Sequence, residues 1–153
     1  VAVFLVRHAK AGSRSDWNDD DVIRPLSKKG WAQARALAEL ISPHQPVALL
    51  SSPYLRCQQT LEPLADMLAL PVTDHDSLTE GSRFEDAIEL LHSVQDGTVL
   101  CSHGDIIPAV IDALVRRGMS LLSDPDLRKA ATFVLHRDGN HFVSAHCWAP
   151  PGL

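Results

Sequence analysis

No stretch of the 153-residue sequence approaches the roughly 20 consecutive apolar residues that a helical membrane span requires. Basic charge is also short. Fourteen Lys and Arg stand against nineteen Asp and Glu, a formal charge of −5, which disfavours a nucleic-acid platform. Cysteine is sparse and odd in number: Cys57, Cys101 and Cys147 cannot all pair within the chain, lie more than forty residues apart and form no CxxC. They read as free thiols, not as disulfides or zinc ligands. HExxH and EF-hand patterns are missing too. Of the eight histidines, His44, His75, His92, His136, His141 and His146 share no ligand spacing and are expected at the surface or in loops. Neither a metal nor a cofactor is expected. A cysteine-based phosphatase would need arginine six positions after its nucleophile, and Pro63, Ile107 and Leu153 stand there instead. Neither a charged n-region nor a small-residue cleavage site accompanies the apolar opening Val1 to Val6, so a reduced, cytoplasmic protein is expected. The first residue is Val and not Met, which fits a domain excised from a longer chain.

What is present suits one domain over residues 1–153. With 45% apolar residues and no repeat, low-complexity segment or linker, the chain can bury one sizeable core. Val1 to Val6, Pro46 to Leu50 and Thr98 to Cys101 are continuous apolar runs, the mark of parallel strands covered on both faces. Helical patterns lie between them. Ser27 is placed to cap a helix bearing Trp31, Ala34, Leu37, Ala38 and Ile41 on one face. Ser52-Pro53 reads as cap and first residue of a second helix, which Pro63 should kink or shorten. Ser82-Arg-Phe-Glu85 has the form of a capping box, and Asp105 is placed to cap Ile106 to Arg117. Ser123 to Lys129 reads as loop or a short helical turn. Thr132 to His136 and His141 to Cys147 read as a terminal β-hairpin. The expected fold is a three-layer α/β domain: a mostly parallel central sheet, helices on both faces, and a C-terminal hairpin.

Ligand sites in such sheets lie beyond the carboxyl ends of the strands. Arg7-His8-Ala9-Lys10 follows the first strand, Ser51-Ser52-Pro53 with Arg56 and Thr60 follows the second, and Ser102-His103-Gly104-Asp105 follows a third. Two arginines and two histidines thus meet at one sheet edge. Guanidinium forks match phosphate oxygens and stay charged at every working pH, so phosphate is the natural ligand.

Those three clusters, in that order, resemble the histidine phosphatase superfamily, which includes the cofactor-dependent phosphoglycerate mutases. Asp21-Val-Ile-Arg24-Pro25-Leu26-Ser27 with Gly30 and Gln33, together with the short length, looks most like its small phosphohistidine-phosphatase-like branch. The chain is also similar to the phosphatase domain that follows a Nudix domain in some two-domain actinobacterial nucleotide hydrolases. The resemblance implies that His8 is the nucleophile, that Arg7 and Arg56 bind phosphoryl oxygens, and that His103 stabilises charge on the transferred group. It implies a metal-independent phosphatase acting on phosphomonoesters or phosphohistidine through a phosphohistidine on His8. Two other readings stand beside it: the nucleotide phosphatase domain of a two-domain Nudix hydrolase, and a non-catalytic phosphate-binding regulatory domain. The partners implied are a phosphorylated small molecule, a nucleotide or a phosphohistidine protein, with an upstream Nudix domain and neither a nucleic-acid polymer nor a membrane.

Other positions carry two readings each. Glu80 sits where many members place a proton donor, yet it is followed by Gly81-Ser82-Arg83 and not by the mutase pattern; the other reading is a loop carboxylate. Lys10, Ser13 and Arg14 fall where the family contacts phosphate or substrate, or belong to a solvated loop. Gly104 lets backbone approach phosphate, or serves a turn. Arg24 pairs with one of Asp19 to Asp21 or adds to the pocket, and the acidic run Asp16 to Asp21 is pocket wall or surface.

Overall fold

The structure, a computed structural model, describes residues 1–152. A seven-stranded sheet runs through the domain. In chain order its elements are β1 (Ala2–Arg7), α1 (Lys28–Ile41), β2 (Ala48–Ser51), α2 (Leu55–Leu68), β3 (Val72–Asp74), α3 (Phe84–Ser93), β4 (Thr98–Ser102), α4 (Ile106–Arg116), β5 (Ser120–Leu121), β6 (Thr132–Asp138) and β7 (His141–Trp148). The strand order is β3-β2-β4-β1-β6-β7-β5. β1, β2, β3 and β4 are mutually parallel, whereas β6 runs antiparallel to both β1 and β7. The hairpin therefore extends the sheet from β1, and the short β5 pairs beyond it with β7.

Continuous apolar runs do mark doubly covered strands. Val3 and Leu5 of β1 enter the cluster built by α3 and α4, while Phe4 and Val6 enter the one built by α1 and α2. Every residue from Val3 to Val6 is thereby buried on one face or the other. Among the described residues, no helix is long and apolar enough to cross a membrane.

Local signals met mixed fates. The Ser27 hydroxyl accepts from the Gly30 N–H at 3.1 Å, capping α1 as its position suggested. Ser52 does not cap α2, which begins at Leu55, because its hydroxyl turns to His103. Pro63 does not end α2, which runs through it to Leu68. The capping box at Ser82 does not form, since Ser82 Oγ donates to the Asp76 carbonyl instead. Asp105 precedes α4 but makes no side-chain cap; its carboxylate accepts the Gly81 N–H at 2.8 Å. Cys57 and Cys101 are buried free thiols and Cys147 is half-buried. His136 and His146 stand next to each other, Nε2 to Nδ1 at 2.9 Å, a cross-strand pair that spacing did not reveal.

Candidate active site

The carboxyl ends of β1, β2 and β4 open on a cavity of about 650 Å³, whose wall includes Arg7, His8, Arg56, Glu80 and Gly104. His103, fully buried, lies beneath it, its ring edge-on to His8 with centroids 5.4 Å apart.

His8 is held by three elements. Its backbone N–H donates to Ser102 O on β4, and Thr60 Oγ1 on α2 accepts from the Ala9 N–H at 2.9 Å. Gln33 on α1 accepts from the Lys10 N–H at 3.0 Å. The first turn of α1 presses so closely here that a Cβ on Gly30 would lie 1.9 Å from the Lys10 carbonyl oxygen. His8 Nδ1 sits 2.8 Å from the Ala9 carbonyl, which only accepts, so Nδ1 carries the proton. Nε2 is left as the lone-pair nitrogen. Burial disfavours charge on the ring; the Ala9 bond opposes that, and the charges of His103, Arg56 and Arg7 add to it, bringing the pKa down to about 3. The imidazole is therefore neutral and nucleophilic at ordinary pH.

Arg56, on the first turn of α2, is 1% exposed. Its guanidinium donates to Asp21 O at 2.9 Å, to Asp21 Oδ2 at 3.2 Å and to Glu80 Oε1 at 3.4 Å, and it lies over the Tyr54 ring at 4.8 Å. Asp21 Oδ1 in turn accepts from Arg24 Nε at 2.9 Å. Partial burial works against ionisation of Asp21, but the Arg24 hydrogen bond and the charges of Arg56, Arg24 and Arg14 hold its carboxyl below the usual range. Arg24, buried, reaches Gly12 O and so braces the loop after His8. Of the three acidic residues that could have paired with it, Asp21 is the partner. Sequence reasoning missed that Asp21 also serves Arg56.

Glu80 faces two guanidiniums, Arg56 Nη2 at 3.4 Å and Arg14 Nη2 at 3.5 Å. It is geometrically a counter-ion for both. Arg7 leans on Gly104, where a Cβ would fall 2.7 Å from the guanidinium carbon; the glycine makes room for the arginine itself. Arg7 Nη1 also donates to Leu127 O at 2.6 Å.

His103 Nε2 meets Ser52 Oγ at 2.8 Å, and Ser52 Oγ accepts from the Tyr54 N–H at 3.2 Å. With Nε2 engaged by Ser52, Nδ1 is the ring nitrogen left without a partner. Among the described residues, the buried side-chain polar atoms lacking a hydrogen-bond partner are Arg7 Nε, Arg56 Nε, His103 Nδ1 and Thr132 Oγ1. Three of these four belong to the cluster, as befits groups shaped to meet an anion. Lys10, Ser13 and Arg14 all border the cavity, exposed, with Ser13 Oγ bonded to Ser15 Oγ at 2.8 Å. Lys129, from the loop before β6, borders it too and was not anticipated.

Comparison with known proteins gives the family and the fold. The description "Histidine phosphatase superfamily (branch 1)" matches residues 3–82. The chain is 34% identical over 155 residues to the 8-oxo-(d)GTP phosphatase of Mycolicibacterium smegmatis, covering 97% of this chain and 48% of that protein. It is 36% identical over 74 residues to the phosphohistidine phosphatase SixA of Escherichia coli, covering 46% and 44%. The chain thus spans about half the length of the 8-oxo-(d)GTP phosphatase, and its sequence match to SixA takes in about half of each chain. Among solved structures, SixA complexed with tungstate superposes with a TM-score of 0.75 at 22% identity, covering 92% of each chain. The mycobacterial glucosyl-3-phosphoglycerate phosphatase Rv2419c complexed with VO3 gives 0.72 at 16% identity, covering 98% and 99%. At those identities the likeness is one of fold. Taken with the match over residues 3–82, it makes this chain a member of branch 1 of the histidine phosphatase superfamily.

Proposed function

We propose that the protein is a metal-independent phosphatase that hydrolyses phosphomonoesters or phosphohistidine through a covalent phosphohistidine on His8. The observation that carries this reading is the Nδ1 hydrogen bond to Ala9 O, which leaves a neutral ring with its Nε2 lone pair on the wall of an arginine-lined cavity. In the first step Nε2 attacks phosphorus as the bond to the leaving group breaks. Water then cleaves the N–P bond and returns His8 to its resting state. Arg7, Arg56 and His103 stabilise the equatorial oxygens, the main need of phosphoryl transfer. Lys10, Ser13 and Arg14 bind substrate at the rim, and Gly104 does so through the room it gives Arg7. Glu80 acts through the arginines it pairs with. In this reading Arg7 and Arg56 supply the positive charge that a metal ion gives in other phosphoryl-transfer sites. Two buried thiols suit a cytoplasmic location.

A second reading concerns context. Nearly the whole chain aligns with about half of an 8-oxo-(d)GTP phosphatase, which favours a nucleotide as substrate; in this reading the chain is the phosphatase domain of a two-domain protein, with a Nudix domain upstream. A non-catalytic phosphate-binding domain is the reading least served, since Arg7, His8, Arg56 and His103 are all present and assembled.

The test is trapping. Rapid quenching of enzyme with ³²P-labelled substrate should give a label stable in base and lost in acid, absent from His8→Ala along with turnover. Label that survives acid, or persists in that variant, removes His8 from the role.

A further inference from the structure

A second groove of about 640 Å³ adjoins the reaction cavity, and the two share Arg7, Lys10 and Lys129 as common wall. Away from that wall it is lined by Lys29 and Gln33 of α1, by Arg128, and by the uncharged segment Pro150, Pro151 and Gly152. No acidic side chain lines it among the described residues, in a chain whose formal charge is −5. Arg128 is committed to Asp126 at 2.6 Å, whereas Lys10, Lys29 and Lys129 have no carboxylate within salt-bridge distance among the described residues. Like charges gathered this way repel, and they are tolerated where an anion is bound.

We propose that this groove is a subsite for a second phosphate bonded directly to the one transferred, so that the enzyme takes phosphoanhydrides such as nucleoside di- and triphosphates. Arg7, at the boundary, contacts both phosphates; Lys10, Lys29 and Lys129 hold the second. This inference rests on the phosphatase reading and narrows its substrate class.

Two further features agree. Burial lowers the Lys129 pKa, and the positive charges of Arg7, Arg24, Lys10 and Arg14 lower it further, the signature of a place where cations accumulate. The leaving group also fits. His8 Nε2 forms its bond to phosphorus while the bridging P–O bond breaks, and the electron pair departs on an oxygen of the second phosphate. A phosphate anion is stable in water near neutral pH and needs no proton to leave, unlike an alkoxide. A site whose nearby carboxylate is occupied by two guanidiniums therefore suits an anhydride.

Non-hydrolysable probes test this apart from the chemistry. Isothermal titration of the wild-type chain with methylphosphonate and with methylenediphosphonate should show the diphosphonate binding at least about tenfold more tightly. Lys29→Glu keeps a residue favoured near a helix N-terminus, so α1 should be retained. It should remove most of that gap while changing methylphosphonate affinity by less than about twofold, because Lys29 does not border the reaction cavity. Lys129→Ala should narrow the gap likewise, and raising the salt concentration should shrink it. Equal affinities for the two probes in the wild type, or a gap that survives Lys29→Glu and Lys129→Ala, overturn the subsite. Either result leaves labelling of His8 untouched, and failure of labelling with the gap intact would instead sink the phosphohistidine reading alone.

Discussion

One carboxylate, Asp21, is divided between two buried arginines: Oδ1 accepts from Arg24 Nε at 2.9 Å and Oδ2 from Arg56 Nη2 at 3.2 Å. Removing it leaves the nearly inaccessible Arg56 with Glu80 as its remaining carboxylate partner and frees the brace on the loop after His8. Breaking a fully buried pair costs roughly 3–5 kcal/mol, but Asp21 is a third exposed, so about 1–2 kcal/mol is expected for Asp21→Asn. Urea denaturation reads that loss. Steady-state kinetics should show kcat/KM falling about tenfold or more, since Arg56 is no longer fixed. Unchanged kinetics would mean that Glu80 alone positions Arg56.

Two glycines make opposite predictions. At Gly104 the atoms in the way are the end of the Arg7 side chain, which can move, so Gly104→Ala should fold with little loss of stability while kcat/KM drops about 10- to 100-fold. At Gly30 the obstacle is the Lys10 carbonyl, backbone held by Ser27 and by α1, so Gly30→Ala should cost roughly 3 kcal/mol or more. Thermal unfolding of the two variants, beside their kinetics, separates a site lesion from a folding lesion.

Folding should be linked to pH through His8. The folded pKa is about 3 and the unfolded value about 6.5, so between them the unfolded chain binds a proton that the folded one does not. Stability then falls as pH drops from about 6.5 toward about 3, with a slope of up to about 1.4 kcal/mol per pH unit from this residue. His146, held low by burial and by His136 and His44, acts with the same sign. Denaturation of wild type and His8→Gln across that range should give a shallower slope for the variant. The acid limb of kcat/KM should accordingly not report protonation of His8 near pH 6.5.

Chelation should leave turnover nearly unchanged if the arginines carry the phosphoryl charge, and vanadate, able to adopt the five-coordinate geometry of the transferred phosphorus, should inhibit. Activity lost in EDTA and regained with one divalent ion would contradict this assignment.

Much of the site was legible because parallel topology does the assembling. Arg7-His8, Ser51-Ser52 and Ser102-His103 each end a strand of one sheet, so strand direction alone brings them to one edge. Local capping signals were less dependable. Ser52 and Asp105 carry the side chains of helix caps, but His103 and the Gly81 N–H offered them tertiary partners that outcompeted the helix ends. β3 and β5 had no pattern to betray them, being three and two residues long and largely exposed. Asp19, Asp20 and Asp21 were equivalent as a string of letters, and it is the fold, turning Arg24 back onto Asp21 and bringing Arg56 in from α2, that distinguishes the last. Lys129 stands 121 residues after His8 in a loop without periodicity, so its place at the cavity rim depends on the turn of chain that pairs Ala130 N–H with Arg7 O and His8 O.

The role of Glu80 turns on the leaving group. An acid that protonates the departing oxygen matters greatly for an alkoxide and little for a nitrophenolate, so removing it should slow an alkyl phosphate selectively, by about 10²-fold or more. The structure sets Glu80 between Arg56 and Arg14 as a counter-ion, and loss of a counter-ion harms every substrate alike. Glu80→Gln keeps the shape and a carbonyl acceptor but removes the charge. It should therefore slow phosphoryl-enzyme formation from an alkyl monoester and from p-nitrophenyl phosphate by similar factors, within about threefold of each other. Single-turnover measurement is needed, because a shared slow dephosphorylation would mask a contrast in the first step. A selective loss on the alkyl substrate would instead make Glu80 the proton donor, and the arginine pairing would then describe only the substrate-free site.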